Sequence, residues 1–171
     1  DGDWEIYVLD LATRGLTRLT DNAWDDEEPD WSKITGRIAF VSTRNTPNGE
    51  LFTMAADGSD VRPLLSNVNG DASPSWSPGS ERLAFWGSRP AGQALYTVRS
   101  DGSDVQLLAP QTLRPERPAW GSGSDAILFS GYRPGNGYSE IMRIQPDGSG
   151  LTLLTHNEVN FDYAPGWLAG W

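Results

Sequence analysis

Three aspartates stand at matched places in this chain. Asp26, Asp71 and Asp162 each precede a tryptophan by five residues, at Trp31, Trp76 and Trp167. Carboxylates gathered round one axis could hold Ca²⁺, which takes roughly six to eight oxygen ligands, or receive a cationic group of a partner. The alternative is local: each aspartate caps the start of its own strand by accepting nearby backbone N–H groups. Their surroundings are Asp26-Glu27-Glu28, Asp71-Ala72-Ser73 and Asp162-Tyr163-Ala164, with Pro115-Glu116-Arg117 at the corresponding place before Trp120. Asp26, Glu27, Asp71, Glu116, Arg117, Asp162 and Tyr163 are therefore the candidate partner-binding residues. The acidic run Asp25 to Asp30 reads as a solvated loop, and Arg117 beside Glu116 as a rim ion pair of little energetic weight.

Other reactive groups are sparse. His156 is the only histidine and there is no cysteine, so no thiolate metal site, disulfide framework or Cys–His pair is available. No Gly-x-Ser-x-Gly elbow, Walker-type loop or dinucleotide glycine pattern occurs. The turns Asp57-Gly58-Ser59, Asp101-Gly102-Ser103 and Asp147-Gly148-Ser149 lack the glutamate that closes an EF-hand loop. They read as hairpin turns with φ > 0 at the centre. The expectation is a chain that is not an enzyme and has no cofactor, calcium being the one candidate ion.

The elements that must position these residues repeat. Pro-x-Trp recurs at Pro29/Trp31, Pro74/Trp76, Pro118/Trp120 and Pro165/Trp167, at intervals of 45, 44 and 47 residues. A second strand follows three times: Arg37 to Phe40, Arg82 to Phe85 and Ala126 to Phe129. A third recurs as Glu5 to Val8, Glu50 to Thr53, Ala94 to Thr97 and Glu140 to Arg143. A fourth closes each unit: Leu16 to Thr20, Val61 to Leu65, Val105 to Ala109 and Leu151 to Thr155. No window shows sustained helical periodicity. Four short antiparallel strands at this period make the blade of a β-propeller. A lone blade has two apolar faces, and stacking on neighbours buries both, with the repeated tryptophans packed between blades. The first strand lies innermost, so the residues before each Pro-x-Trp gather at one mouth of the central channel.

The totals agree. The chain has 171 residues, 19 glycines, 12 prolines, eight tryptophans and a net charge of −10. That length supports one domain with a sizeable core. The acidic balance argues against non-specific nucleic-acid binding and against docking on anionic lipid. No apolar run approaches the roughly 20 residues that span a bilayer. The whole chain, 1–171, reads as one propeller region with copies at roughly 1–20, 26–65, 71–109, 115–155 and 162–171.

The pattern Asp-x-x-Pro-x-Trp-Ser-Pro-Gly, then Leu-Ala-Phe, Leu-Tyr-Thr-Val and Asp-Gly-Ser, clearest over Asp71 to Leu108, resembles the TolB-type β-propeller repeat. The copy at Trp120 departs from it, with Pro115 in place of the aspartate and Gly121-Ser122-Gly123 in place of Ser-Pro-Gly. The copy at Trp31 has Ser32-Lys33 without the proline. The resemblance implies an all-β propeller in the periplasm or outside the cell that binds a protein partner. Two rival functions stay open: the propeller of a longer prolyl-oligopeptidase-type serine peptidase, and a carbohydrate-binding propeller using Trp4, Trp24 and Trp171. The chain opens in a third strand and stops just after a first. This is expected of a segment of a longer propeller or of a chain that closes its ring with copies of itself.

Overall fold

The fold is taken from a computed structural model, which describes residues 2–65, 70–90, 92–123, 125–133, 135, 137–156, 162 and 165. Two short strands, β1 (Tyr7–Leu9) and β2 (Leu16–Arg18), form a hairpin. Three four-stranded antiparallel sheets follow. The first blade is β3 (Asp26–Trp31), β4 (Arg37–Ser42), β5 (Glu50–Ala55) and β6 (Arg62–Pro63). The second is β7 (Asp71–Trp76), β8 (Arg82–Arg89), β9 (Gly92–Arg99) and β10 (Gln106–Ala109). The third is β11 (Glu116–Trp120), β12 (Ile127–Tyr132), β13 (Ser139–Ile144) and β14 (Thr152–Leu153). Each sheet runs in sequence order, and among the described residues the sheets do not close into a ring. One element went unforeseen, a 3₁₀ turn at Gln111–Leu113 between the second and third blades.

Alternation along each strand divides the core. On β4, Ile38 and Phe40 face the cluster that holds Ile6, Phe52 and Met54, while Ala39 and Val41 face the second blade. On β8, Leu83 and Phe85 point back to the first blade, and Ala84 joins Leu95, Ile127 and Phe129 on the other side. Successive side chains of a strand point to opposite faces, so blades apolar on both faces can only be buried by stacking. Phe40, Phe85 and Phe129 hold the same position in three blades, all fully buried. Trp76 and Trp120 sit in these inter-blade clusters at 7% and 9% exposure. Trp31, by contrast, is 48% exposed.

The Asp-Gly-Ser turns are hairpins of a different type from that expected. Ala55 N–H donates to Ser59 O at 2.8 Å and Gly58 N–H to Ala55 O at 3.0 Å, with Gly58 at φ 85°. That is a three-residue loop closed by a left-handed glycine, not a two-residue primed turn. Asp57 Oδ1 accepts both the N–H (2.9 Å) and the hydroxyl (2.6 Å) of Ser59, and Asp101 does the same for Ser103 at the same distances. Glycine is required twice over at Gly58 and Gly102. A Cβ there would lie 2.6 Å from Leu19 O and 2.2 Å from Leu64 O, each on the preceding blade.

Beyond these turns, Arg37 bonds Asp60 Oδ2 and Arg82 bonds Asp104 Oδ2, both at 2.7 Å. Each arginine also reaches a threonine of the third strand, Thr53 or Thr97. The third blade reverses the charges, with Arg143 on β13 bonding Asp125 before β12 at 3.2 Å.

Two outcomes follow from this packing. Trp76→Ala should cost about 3–5 kcal/mol, the range for a large buried aromatic, and Trp31→Ala less than half as much; denaturant midpoints of the two variants check this. The bond from Arg82 holds the Asp104 carboxyl at about 2. A carboxyl lowered on folding stabilises fully above its ordinary range near 3.8, and that contribution is lost as pH falls through about 2. Melting temperatures between pH 5 and 2 should fall less steeply in Asp104→Asn than in the parent chain.

Candidate functional site

The inner strands β3, β7 and β11 share one distortion. Each has an extra residue against its partner strand, between Glu27 and Asp30, Ala72 and Ser75, and Glu116 and Ala119. Glu28, Ser73 and Arg117 occupy that bulge with φ of 51°, 52° and 50°. Proline follows each of them, which an inner edge strand tolerates at a bulge because no ladder hydrogen bond is lost. The next residue but one is the tryptophan of Pro-x-Trp. Its N–H is not used in its own sheet. Trp76 N–H donates to Asp30 Oδ2 of the first blade at 2.6 Å, and Trp120 N–H to Ser75 Oγ of the second at 3.0 Å. Ser73 N–H likewise donates to Glu28 Oε2 at 2.6 Å. Burial raises the Asp30 carboxyl above its ordinary value, against the lowering effect of the Trp76 and Trp31 N–H groups.

These bulges line a groove of about 460 Å³ formed by equivalent stretches of three blades: Glu28-Pro29-Asp30, Ser73-Pro74-Ser75 and Arg117-Pro118-Ala119. The acidic run is thus a strand and not a solvated loop. Asp25 accepts Trp4 N–H at 3.0 Å, Asp26 is buried, and Glu28 and Asp30 bind the next blade. Glu27 stays exposed. Its carboxyl is raised by partial burial and then by the like charges of Asp25 and Glu28.

Asp26 and Asp71 each meet an arginine of their own blade. Asp26 takes Arg44 Nη2 on both carboxylate oxygens at 2.9 and 3.0 Å, and Asn22 Nδ2 at 2.7 Å. Asp71 takes Arg89 Nη1 at 2.6 Å. Both side chains are closed to solvent. Each arginine lies over two aromatic rings of its own blade: Arg44 is 4.8 Å from Phe52, and Arg89 is 5.1 Å from Tyr96. Buried carboxylates need such partners, because an unpaired buried charge is costly. Among the described residues, no group of three or more His, Cys, Asp or Glu side chains is placed to hold a metal ion. Asp26 and Asp71 are each paired with an arginine of their own blade.

The backbone N–H of the same aspartates makes a further link. Asp26 N–H donates to Trp4 O at 2.8 Å, Asp71 N–H to Gly49 O at 3.1 Å, and Asp162 N–H to Ser139 O at 3.0 Å. Each acceptor precedes a third-strand glutamate, Glu5, Glu50 or Glu140, and the latter two are buried. Glu116 and Arg117 are exposed. Tyr163 and Trp171 lie outside the described residues. Trp4 and Trp24 are exposed at 70% and 47%, and His156 is exposed beyond β14.

The arrangement offers binding groups and no assembled nucleophile, base and orienting partner among the described residues. No helix among them is long and apolar enough to cross a membrane.

Known proteins place this architecture. The TolB protein of the Tol-Pal system from Zymomonas mobilis is 35% identical over 45% of this chain and 17% of its own length. A Bacillus subtilis protein described as an uncharacterized peptidase, YuxL, is 28% identical over 46% of this chain and 12% of its own. The crystal structure of TolB from Acinetobacter baumannii superposes with a TM-score of 0.79 at 17% identity, over 94% of this chain and 39% of that one. The chain therefore spans only 12% and 17% of the lengths of these two curated relatives. The family profile described as TolB beta propeller domain matches residues 1–167, and the chain belongs to that family.

Proposed function

We propose that this chain is a non-enzymatic scaffold that receives a protein partner along its inner-strand groove and at the channel mouth. The observation that carries this reading is the repeated bulge. It places Glu28, Ser73 and Arg117 on one wall at equivalent positions of three blades. Of the candidate contact residues, Glu27, Glu116 and Arg117 are exposed, whereas Asp26 and Asp71 hold the wall from inside. Arg117 makes no ion pair among the described residues, and charges of this kind set partner choice and encounter rate more than raw affinity. The resemblance to TolB-type repeats points to the periplasm as the compartment.

A second reading has one specific support, the match to a protein described as a peptidase of which this chain covers 12%. In that reading the arc is the propeller of a longer hydrolase. The complete reading frame separates the two, since only the second requires an α/β-hydrolase segment.

A photo-crosslinking residue placed at Glu27 or Arg117 should trap one discrete partner in the native host. The same residue at Arg62, on the outer strand β6, should not trap it. Arg117→Glu should lower the yield from the Glu27 site at least tenfold. Equal trapping from the outer strand, or a yield indifferent to Arg117→Glu, would remove the groove from the account.

A further inference from the structure

The junction between the second and third blades breaks the pattern that closes the others. Pro115 stands where Asp26 and Asp71 stand, so it brings neither a carboxylate nor an N–H to the junction. Arg133, which corresponds to Arg44 and Arg89, is exposed and has no carboxylate partner among the described residues. Ala94 replaces the third-strand glutamate found at Glu5, Glu50 and Glu140. The chain crosses this junction through the 3₁₀ turn Gln111–Leu113, and Arg114 ends it in the left-handed region at φ 41°. The second-blade hairpin reaches up beside it, with Gly92 against the Gln111 side chain.

These departures leave a pocket of about 540 Å³, within the roughly 300–1,000 Å³ of small-ligand sites. Its walls include Trp86 and Tyr132, both half-buried, with Gln93, Gln111, Thr112 and Arg114 around them and the exposed Glu116 beside Arg114 and Pro115. The Arg114 guanidinium lies 5.7 Å from the Tyr132 ring centre and makes no ion pair among the described residues. In a chain of net charge −10, a cation without a carboxylate partner beside two aromatic rings is a recognition group. Of the strands that reach the pocket, β8, β9 and β12 are each paired on both sides, while β11, which brings Glu116, is an edge strand. The side chains at the pocket are two aromatic rings, two amides, a threonine hydroxyl, one guanidinium and the Glu116 carboxylate.

We propose that this pocket binds a saccharide bearing a carboxylate, with a sugar ring against Trp86 or Tyr132 and the carboxylate on Arg114. Aromatic faces take the apolar face of a sugar, amides and hydroxyls take its hydroxyl groups, and a guanidinium pairs with a carboxylate in two parallel hydrogen bonds. The site is distinct from the inner-strand groove and does not depend on the scaffold reading. It also differs from Trp4, Trp24 and Trp171 as stacking platforms.

The test is calorimetric titration of the 171-residue chain with a 1,4-linked tri-uronate, with the neutral trisaccharide of the same linkage, and with an oligo-glutamate peptide. The tri-uronate should bind at least tenfold more tightly than the neutral sugar. Arg114→Gln should abolish that preference, and Trp86→Leu should weaken both sugars. Gln93→Ala, an exposed hairpin position, should weaken the tri-uronate with no change in melting temperature, which separates ligand loss from unfolding. No binding of the tri-uronate at millimolar concentration would overturn the proposal. So would binding indifferent to Arg114→Gln, or an Arg114-dependent preference for the glutamate peptide.

Discussion

On β7 and β11 the bulge turns the tryptophan N–H out of its own sheet and onto a side chain of the preceding blade. Trp76 on Asp30 and Trp120 on Ser75 are the two described instances. A buried backbone N–H must find an acceptor, so once the bulge forms, a blade without its neighbour is left unsatisfied at its innermost strand. The proline before each tryptophan and the left-handed residue before that proline belong to the same device. The tryptophan side chain then fills the space between blades as an apolar wedge. Its Nε1–H finds no acceptor at either Trp76 or Trp120.

The outer rim repeats the principle with different atoms. Gly58 and Gly102 of the Asp-Gly-Ser turns press on the residue just past the last strand of the preceding sheet, too closely for any side chain. At the start of β3 and of β7, Asp26 and Asp71 each lock a carboxylate to an arginine that lies over aromatic rings of its own blade. Inner strand, middle and rim are thus each fixed by short-range contacts, of which the middle one is missing where Pro115 stands. Stability of this kind is close to a sum of blade and junction terms.

The strand order was legible because Pro-x-Trp, the apolar runs and Asp-Gly-Ser are contiguous signals with short-range causes. The turn type was misjudged because a glycine with φ > 0 serves both hairpin classes, and only the loop length separates them. The role of Asp26 and Asp71 was hidden for another reason. Their arginine partners lie 18 residues downstream at the end of the second strand, a spacing that acquires meaning only when the register Asp26↔Ser42 and Asp71↔Gly87 is known. The acidic run was misread because charge alone signals solvation. In the structure its carboxylates accept N–H groups from elements 21 to 46 residues away. Pro115 was visible as a departure, but its consequence, a pocket at the junction, needed the 3₁₀ turn that no periodicity announced.

The most direct test is the amide hydrogen exchange of Trp76 and Trp120, compared between the parent chain and Asp30→Ala. Both amides should be strongly protected in the parent. Asp30→Ala should speed exchange at Trp76 while leaving Trp120, which is held by Ser75, protected. Trp76 exchanging at the rate of an open amide in the parent, or equally protected in both proteins, would contradict the claim that inner strands are tied blade to blade through this bond.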